Sequence, residues 1–277
     1  MTARFVPDEA FESYRERFAD HFVMTRRDGI IEVRMHQDGQ TPKWSMELHQ
    51  AIQQMFHAVG ADRRNEVLIL TGTGDAWLNE IDNESYERQG GTDARFKEAS
   101  YETWYLDGTK MLERILWEVD IPIISAINGP GFHMDIALLA DLTICTEDTV
   151  FMDPHMAIDL VPGDGQLLIF QQLLGLKRAA ALAYLLEGVE AHRALELGVV
   201  NEVVPREALL PRAWEMAEKI MQAPRIVRRL TTQVVRRPWK RLFTADFKEH
   251  FAHEMYAAHV ARSVPNDEIL HGNMNLK

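Results

Sequence analysis

Five short apolar runs, each set against a helical stretch, constrain this chain most. Residues 30–35 (Ile-Ile-Glu-Val-Arg-Met) follow the turn signal Asp28-Gly29 and alternate as a strand does. Residues 67–71 and 121–127 are nearly unbroken apolar runs, as strands buried on both faces are. Pro122 stands at the start of its run, where a missing N–H is tolerated. Residues 141–145 and 149–152 complete the set. Between the first two runs, Met46, Ile52, Met55, Phe56 and Val59 recur at helical spacing, and residues 101–118 read as a further helix. The first twenty residues predict a charged helical arm, and the polar stretch up to about Ser100 predicts irregular chain with short helices.

The pattern changes after Asp164. Residues 166–174, 178–186 and 192–197 read as short helices punctuated by Gly175, Gly188 and Gly198. A brief extended piece, 199–204, precedes a region that is helical from Arg206 onward, with Pro224 and Pro238 marking helix starts. Strands alternating with helices, then helices alone, predict an α/β core over residues 1–198 and a helical C-terminal region over 199–277. With 277 residues and 46% hydrophobic content, the chain has ample material for that core. A formal charge of −12 argues against nucleic-acid or anionic-membrane partners, which favour basic patches. No apolar run approaches the roughly 20 residues a transmembrane helix needs, and the N-terminus lacks a secretory centre, so a cytoplasmic location is expected. Cys145 is the single cysteine; lying in an apolar run, it reads as a buried structural thiol.

Chemistry concentrates in two loops. In Phe151-Met-Asp-Pro-His-Met-Ala-Ile-Asp-Leu-Val-Pro-Gly-Asp-Gly165, His155 precedes Asp164 by nine residues. Asn128-Gly-Pro-Gly-Phe-His-Met-Asp135 carries a second histidine, His133. An imidazole moves protons near neutral pH, and a carboxylate fixes its tautomer and stabilises its charged form. From the residues alone, Asp164 either caps the helix beginning near Gln166 or serves as that carboxylate, and the two roles are compatible. His49 and Trp44 lie on an amphipathic helix as core residues or site lining, and Glu254 is either a solvated charge or a site residue. His192, His250, His259 and His271 read as surface residues. Gly72-Thr-Gly74 is too short for a phosphate-cradling loop. Neither a cysteine cluster nor a close histidine pair offers metal spacing, so no metal and no cofactor are expected.

The order of these blocks resembles the crotonase (enoyl-CoA hydratase/isomerase) superfamily from about Val23 to Val235. Residues 67–82 resemble its first oxyanion loop, 121–130 with 140–144 its second loop and following strand, and 151–165 and 191–204 its later blocks. The resemblance implies a repeated ββα superhelix with a helical C-terminal trimerisation region, assembled as a homotrimer or dimer of trimers. The superfamily's second loop usually has consecutive glycines and then a glutamate; here it is shortened to Gly131-Phe-His-Met-Asp135. His155 stands where hydratases carry their other catalytic glutamate, and Glu80 replaces the usual glycine of the first loop.

Those departures resemble the branch of 6-oxocamphor hydrolase and related β-diketone hydrolases. Its Asn-Glu-Ile-Asp stands at Asn79 to Asp82, its Trp and His five apart at Trp44 and His49, and its late His-Glu pair at His253-Glu254. Its glycine before Pro154 is Asp153 here. The branch implies hydrolytic carbon–carbon cleavage (retro-Claisen) of a cyclic β-diketone to a keto acid. His155, oriented by Asp164, would activate water, and His133 and Trp44, with His49 contributing, would donate to the developing negative charge. Glu254 is expected to line the substrate site. The backbone amides near Asn79 and Met134 are the alternative oxyanion donors. The competing readings are a CoA-thioester hydratase, isomerase or hydrolase, and a non-catalytic crotonase-fold assembly subunit.

Overall fold

The computed structural model describes residues 8–88, 98 and 100–261. A short helix, α1 (Phe11–Arg17), leads into the antiparallel pair β1 (Phe22–Arg27) and β2 (Ile30–Met35). Then follow α2 (Met46–Ala61), β3 (Val67–Gly72), α3 (Asn83–Arg88) and α4 (Asp107–Trp117). The middle of the chain gives β4 (Ile123–Ile127), α5 (Met134–Leu138), β5 (Leu142–Thr146) and the two-residue β6 (Val150–Phe151). Beyond it lie α6 (Gln166–Leu174), α7 (Leu176–Leu185), β7 (Val189–Glu190), α8 (Ala191–Leu197) and β8 (Glu202–Val204). Four helices close the described chain: α9 (Arg206–Met221), α10 (Arg225–Val235), α11 (Arg237–Leu242) and α12 (Lys248–Ala261).

The main sheet has the order β1-β2-β3-β4-β5-β8, parallel from β2 onward. Every residue of β3 and β4 is buried, which explains their unbroken apolar sequences. Successive strand residues face opposite sides. Leu68 and Leu70 therefore enter the large core with α2 and α4, while Val67 and Ile69 enter a second core covered by Leu209, Ala213 and Ala217 of α9. The last strand, β8, pairs with β5 although it lies past residue 198.

Several sequence expectations are corrected in detail. Phe22–Arg27 is a strand although its end is charged, because it is the sheet edge and alternates buried with exposed residues. The helix expected over 101–118 begins as a wider π-helical segment, Tyr101–Leu106, and becomes α-helical only at Asp107. Of the polar stretch before Ser100, Asn83–Arg88 is helical, and residues 89–97 lie outside the described chain. His192 and His259 are exposed, His250 is half-buried, and His271 lies outside the described residues. Cys145 is buried, and that burial pushes its thiol up to about 12.

The loops that follow β3 and β4 are stapled together, and this positions the site. Trp77 N–H donates to Pro130 O (2.9 Å) and Phe132 N–H to Leu78 O (2.8 Å). The Asn128 side-chain amide donates to the carbonyls of Thr73, Gly74 and Ala76. The approach is so close that a Cβ on Gly129 would fall 1.9 Å from Asp75 O, which only glycine avoids.

Candidate active site

Trp44 sits between this loop pair and α2. Its N–H donates to Glu80 O (2.8 Å) and its carbonyl accepts from Asp82 N–H (2.9 Å), so the first loop holds it in extended conformation. Ser45 then caps α2, accepting from Leu48 N–H at 2.9 Å. One turn on, His49 is buried, edge-on to Trp44 with ring centres 5.3 Å apart. Burial and the nearby His133 charge push its imidazole down to about 4, so it is neutral at pH 7; a backbone hydrogen bond involving Thr103 and the Asp164 charge oppose the shift. Its Nδ1 is buried without a hydrogen-bond partner.

His133 has left-handed backbone (φ 52°), uncommon for a residue with a Cβ, immediately before α5. Trp77 Nε1 donates to its carbonyl at 3.3 Å, and the next amide, Met134 N–H, donates to Gln166 Oε1 at 2.8 Å. The His133 ring stacks on Trp44 with centres 3.7 Å apart and planes 28° apart. Its Nδ1 lies 3.4 Å from Asp135 Oδ1 and 3.5 Å from Asp164 Oδ2.

His155 opens a short 3-10 turn after Pro154. Its Nε2 lies 3.4 Å from Asp164 Oδ2, and its Nδ1 2.7 Å from Asp153 Oδ1. Asp164 Oδ1 accepts from Gln166 N–H (3.0 Å), so this carboxylate caps the start of α6 and also faces both imidazoles. From α12, Glu254 Oε2 accepts from Gly163 N–H at 3.2 Å. Here too glycine is required, because a Cβ on Gly163 would fall 2.3 Å from His250 O.

The charge state of His155 follows from these neighbours. Burial alone would lower its pKa, but the Asp164 charge, the Asp153 hydrogen bond and the charges of Glu254 and Asp153 outweigh it. Together they push the imidazole up to about 10, which favours the protonated ring at pH 7. Asp135 is fully buried with neither oxygen hydrogen-bonded; desolvation raises its pKa, with the Asp164 charge adding and His133 opposing.

The fold thus brings Trp44, His49, His133, His155, Asp164 and Glu254 into one continuous cluster. Asn79 is half-buried between Leu78, bonded to the second loop, and Glu80, bonded to Trp44. Met134 requires a correction: its amide, expected as an oxyanion donor, is already bonded to Gln166 and holds no free hydrogen. Asp153 and Asp135 are site residues that the sequence did not single out; the first stood only as a departure from the glycine of the resembled branch. Spacing along the chain also conceals two sets compact enough for a cation, His133/Asp135/Asp164 and His155/Asp164/Glu254, each with ligand atoms within 4.8 Å of one another. They share Asp164, and in each an imidazole nitrogen lies 3.4–3.5 Å from a carboxylate oxygen.

This fold is that of a crotonase-type protein. The chain belongs to the enoyl-CoA hydratase/isomerase family, which it matches over residues 25–262. A solved β-diketone hydrolase from the cyanobacterium Anabaena sp. PCC 7120, bound to (S)-3-oxocyclohexyl acetic acid, is similar with TM-score 0.83 and 34% identity, over 90% of this chain and 98% of that one. An enoyl-CoA hydratase/isomerase from Mycobacterium paratuberculosis shares the fold, with TM-score 0.77 and 20% identity over 86% of this chain and 94% of that one. The crotonyl-CoA hydratase of Syntrophomonas wolfei is 29% identical over 177 residues, 63% of this chain and 65% of its own length. The YngF protein of Bacillus subtilis is matched over 66% of its own length, so the chain spans just under two thirds of these sequence relatives. No described helix is long and apolar enough to cross a membrane.

Proposed function

We propose that this protein hydrolyses a carbon–carbon bond of a cyclic β-diketone, giving a keto acid. The observation that carries the reading is the Asp164 carboxylate between two imidazoles, His155 Nε2 at 3.4 Å and His133 Nδ1 at 3.5 Å. The neighbour named as a β-diketone hydrolase supports the same chemistry.

The charge state exchanges the roles expected from the sequence. An imidazolium cannot remove a proton from water, so the Asp164 carboxylate takes it as water adds to one ketone carbon. The resulting oxyanion needs donors placed where its charge develops; His133, stacked on Trp44, and the Trp44 indole are the side chains at hand. Collapse breaks the bond between the attacked carbon and the α-carbon, and the leaving enolate takes a proton from His155. Protonated Asp164 then passes its proton across to Nε2 of His155, which restores the starting state. One water is consumed, and no cofactor or metal enters.

This division of labour fixes the sign of the pH dependence. Activity should fall as pH rises through the value of His155, about 10, because the acid is lost there. If His155 were the base, activity would rise over the same range. A kcat/KM profile from pH 7 to 11 separates the two.

The reaction itself is tested by offering cyclic 1,3-diketones and following loss of their ultraviolet enolate absorption, with crotonyl-CoA hydration measured in parallel. Turnover of a diketone and none of crotonyl-CoA is the expected result. The names of the sequence relatives favour the thioester reading as the alternative, and turnover of crotonyl-CoA alone would establish it.

A homotrimer, or a dimer of trimers, is part of this proposal. Ile226, Leu230 and Val234 lie four residues apart on one face of α10, at 62%, 57% and 72% exposure, a stripe that favours burial against another chain. Light scattering should give three or six chain masses, and replacing Leu230 and Val234 by aspartate should give monomers.

A further inference from the structure

We propose that Asp153 is a positioning residue that holds the Nδ1 proton of His155, so that Nε2 alone exchanges protons with Asp164 and the reacting atoms. The two sides of the ring differ. On the Nδ1 side, Asp153 Oδ1 is 2.7 Å away and also accepts the His155 backbone N–H at 3.1 Å. That oxygen therefore fixes both the turn and the ring, and Pro154 between the two residues stiffens the link. A carboxylate so placed accepts and does not donate, so the hydrogen resides on Nδ1. On the Nε2 side the 3.4 Å gap to Asp164 Oδ2 is longer than a well-formed hydrogen bond. The anchored side thus faces Asp153, and the side on which a proton moves faces Asp164.

Asp153 is 1% exposed, and its second oxygen is buried without a partner, a costly arrangement for turn formation alone. The charged groups facing the ring are Asp153 from its own turn, Asp164 from the start of α6 and Glu254 from α12, with His133 beyond Asp164. Helix α7 also packs on this turn, and its Lys177, Arg178 and Tyr184 are exposed. The resemblance to the β-diketone hydrolases places a glycine at position 153, so this chain supplies its own partner for Nδ1. The consequence for turnover rests on the hydrolase reading; the state of the ring does not.

The test is nitrogen-15 NMR of His155 in the intact protein without substrate, on the unmodified chain and on Asp153→Asn. Asparagine can still form the turn with its side-chain oxygen, so the variant removes the charge beside Nδ1 and keeps the turn. In the unmodified protein, Nδ1 should stay protonated throughout the titration. In Asp153→Asn, the His155 pKa should fall by about 1–3 units, the usual effect of removing one adjacent opposite charge. The alkaline limb of the kcat/KM profile should move down with it. A neutral ring carrying its hydrogen on Nε2 in the unmodified protein would overturn the proposal, and that measurement requires no variant to fold. An unmoved His155 titration in folded Asp153→Asn would overturn it equally. Neither outcome depends on which substrate the enzyme turns over, so this proposal and the hydrolase reading can fail separately.

Discussion

Replacing Asp164 by asparagine should lower kcat on a cyclic 1,3-diketone by about ten-thousand-fold, the scale seen when one member of a proton-transfer unit is removed. Asparagine keeps the shape of the side chain and an oxygen able to cap Gln166 N–H, so α6 should stay in place. What it loses is the ability to take a proton from water and return it to His155. His155→Ala should cost a comparable factor, because the leaving enolate then has no acid. The double variant should be little worse than either single, since both changes disable one unit. Steady-state kinetics beside circular dichroism checks all three. Near-normal turnover in a folded Asp164→Asn protein would remove the carboxylate from the mechanism.

Arg236→Met should destabilise the fold by about 3–5 kcal/mol, the cost of leaving a buried charge without its partner. Arg236 is 1% exposed at the junction of α10 and α11. Its guanidinium donates to both oxygens of Asp141, at 2.8 and 2.5 Å, and to the carbonyls of Ile115, Val119 and Ile121. Asp141 in turn accepts Ile123 N–H at 2.8 Å. One side chain therefore ties the C-terminal helices to the end of α4 and the entrances of β4 and β5. Methionine fills much of the volume but leaves Asp141 without its cation and three carbonyls without the guanidinium donor. The melting temperature should drop by roughly 10 °C for a chain of this size. Because α12 follows this junction and carries Glu254 to Gly163, the site should loosen as well. A melting temperature within a degree or two of the unmodified protein would show that water replaces the arginine.

Much of this architecture was legible because burial leaves a direct mark on composition. The β3 and β4 runs are apolar throughout because both of their faces are covered, one by α2 and α4 and the other by α9. Edge strand β1 was not legible: its solvent face mixes Val23 with Thr25 and Arg27, and it ends in Arg26-Arg27. At the site, His155 and Asp164 stood out as a histidine and an acid in one Gly/Pro-bounded segment. That Trp44, His49, His133 and Glu254 join them depends on contacts between elements up to 210 residues apart (44 to 254), and only the family resemblance gave that expectation. Asp135 was passed over because nothing local distinguishes a carboxylate buried by tertiary packing from one on a solvated helix. The meaning of Asp153 lies in the orientation of a ring two residues away, which the sequence does not show.

The central claim is that water is added across a carbon–carbon bond. Mass analysis of the product formed from a cyclic 1,3-diketone in oxygen-18 water, quenched early in turnover, tests it most directly. The account predicts a ring-opened keto acid bearing one heavy oxygen in its carboxylate, formed by the unmodified protein and not by Asp164→Asn. Intact diketone after prolonged incubation with enzyme that hydrates crotonyl-CoA would contradict it.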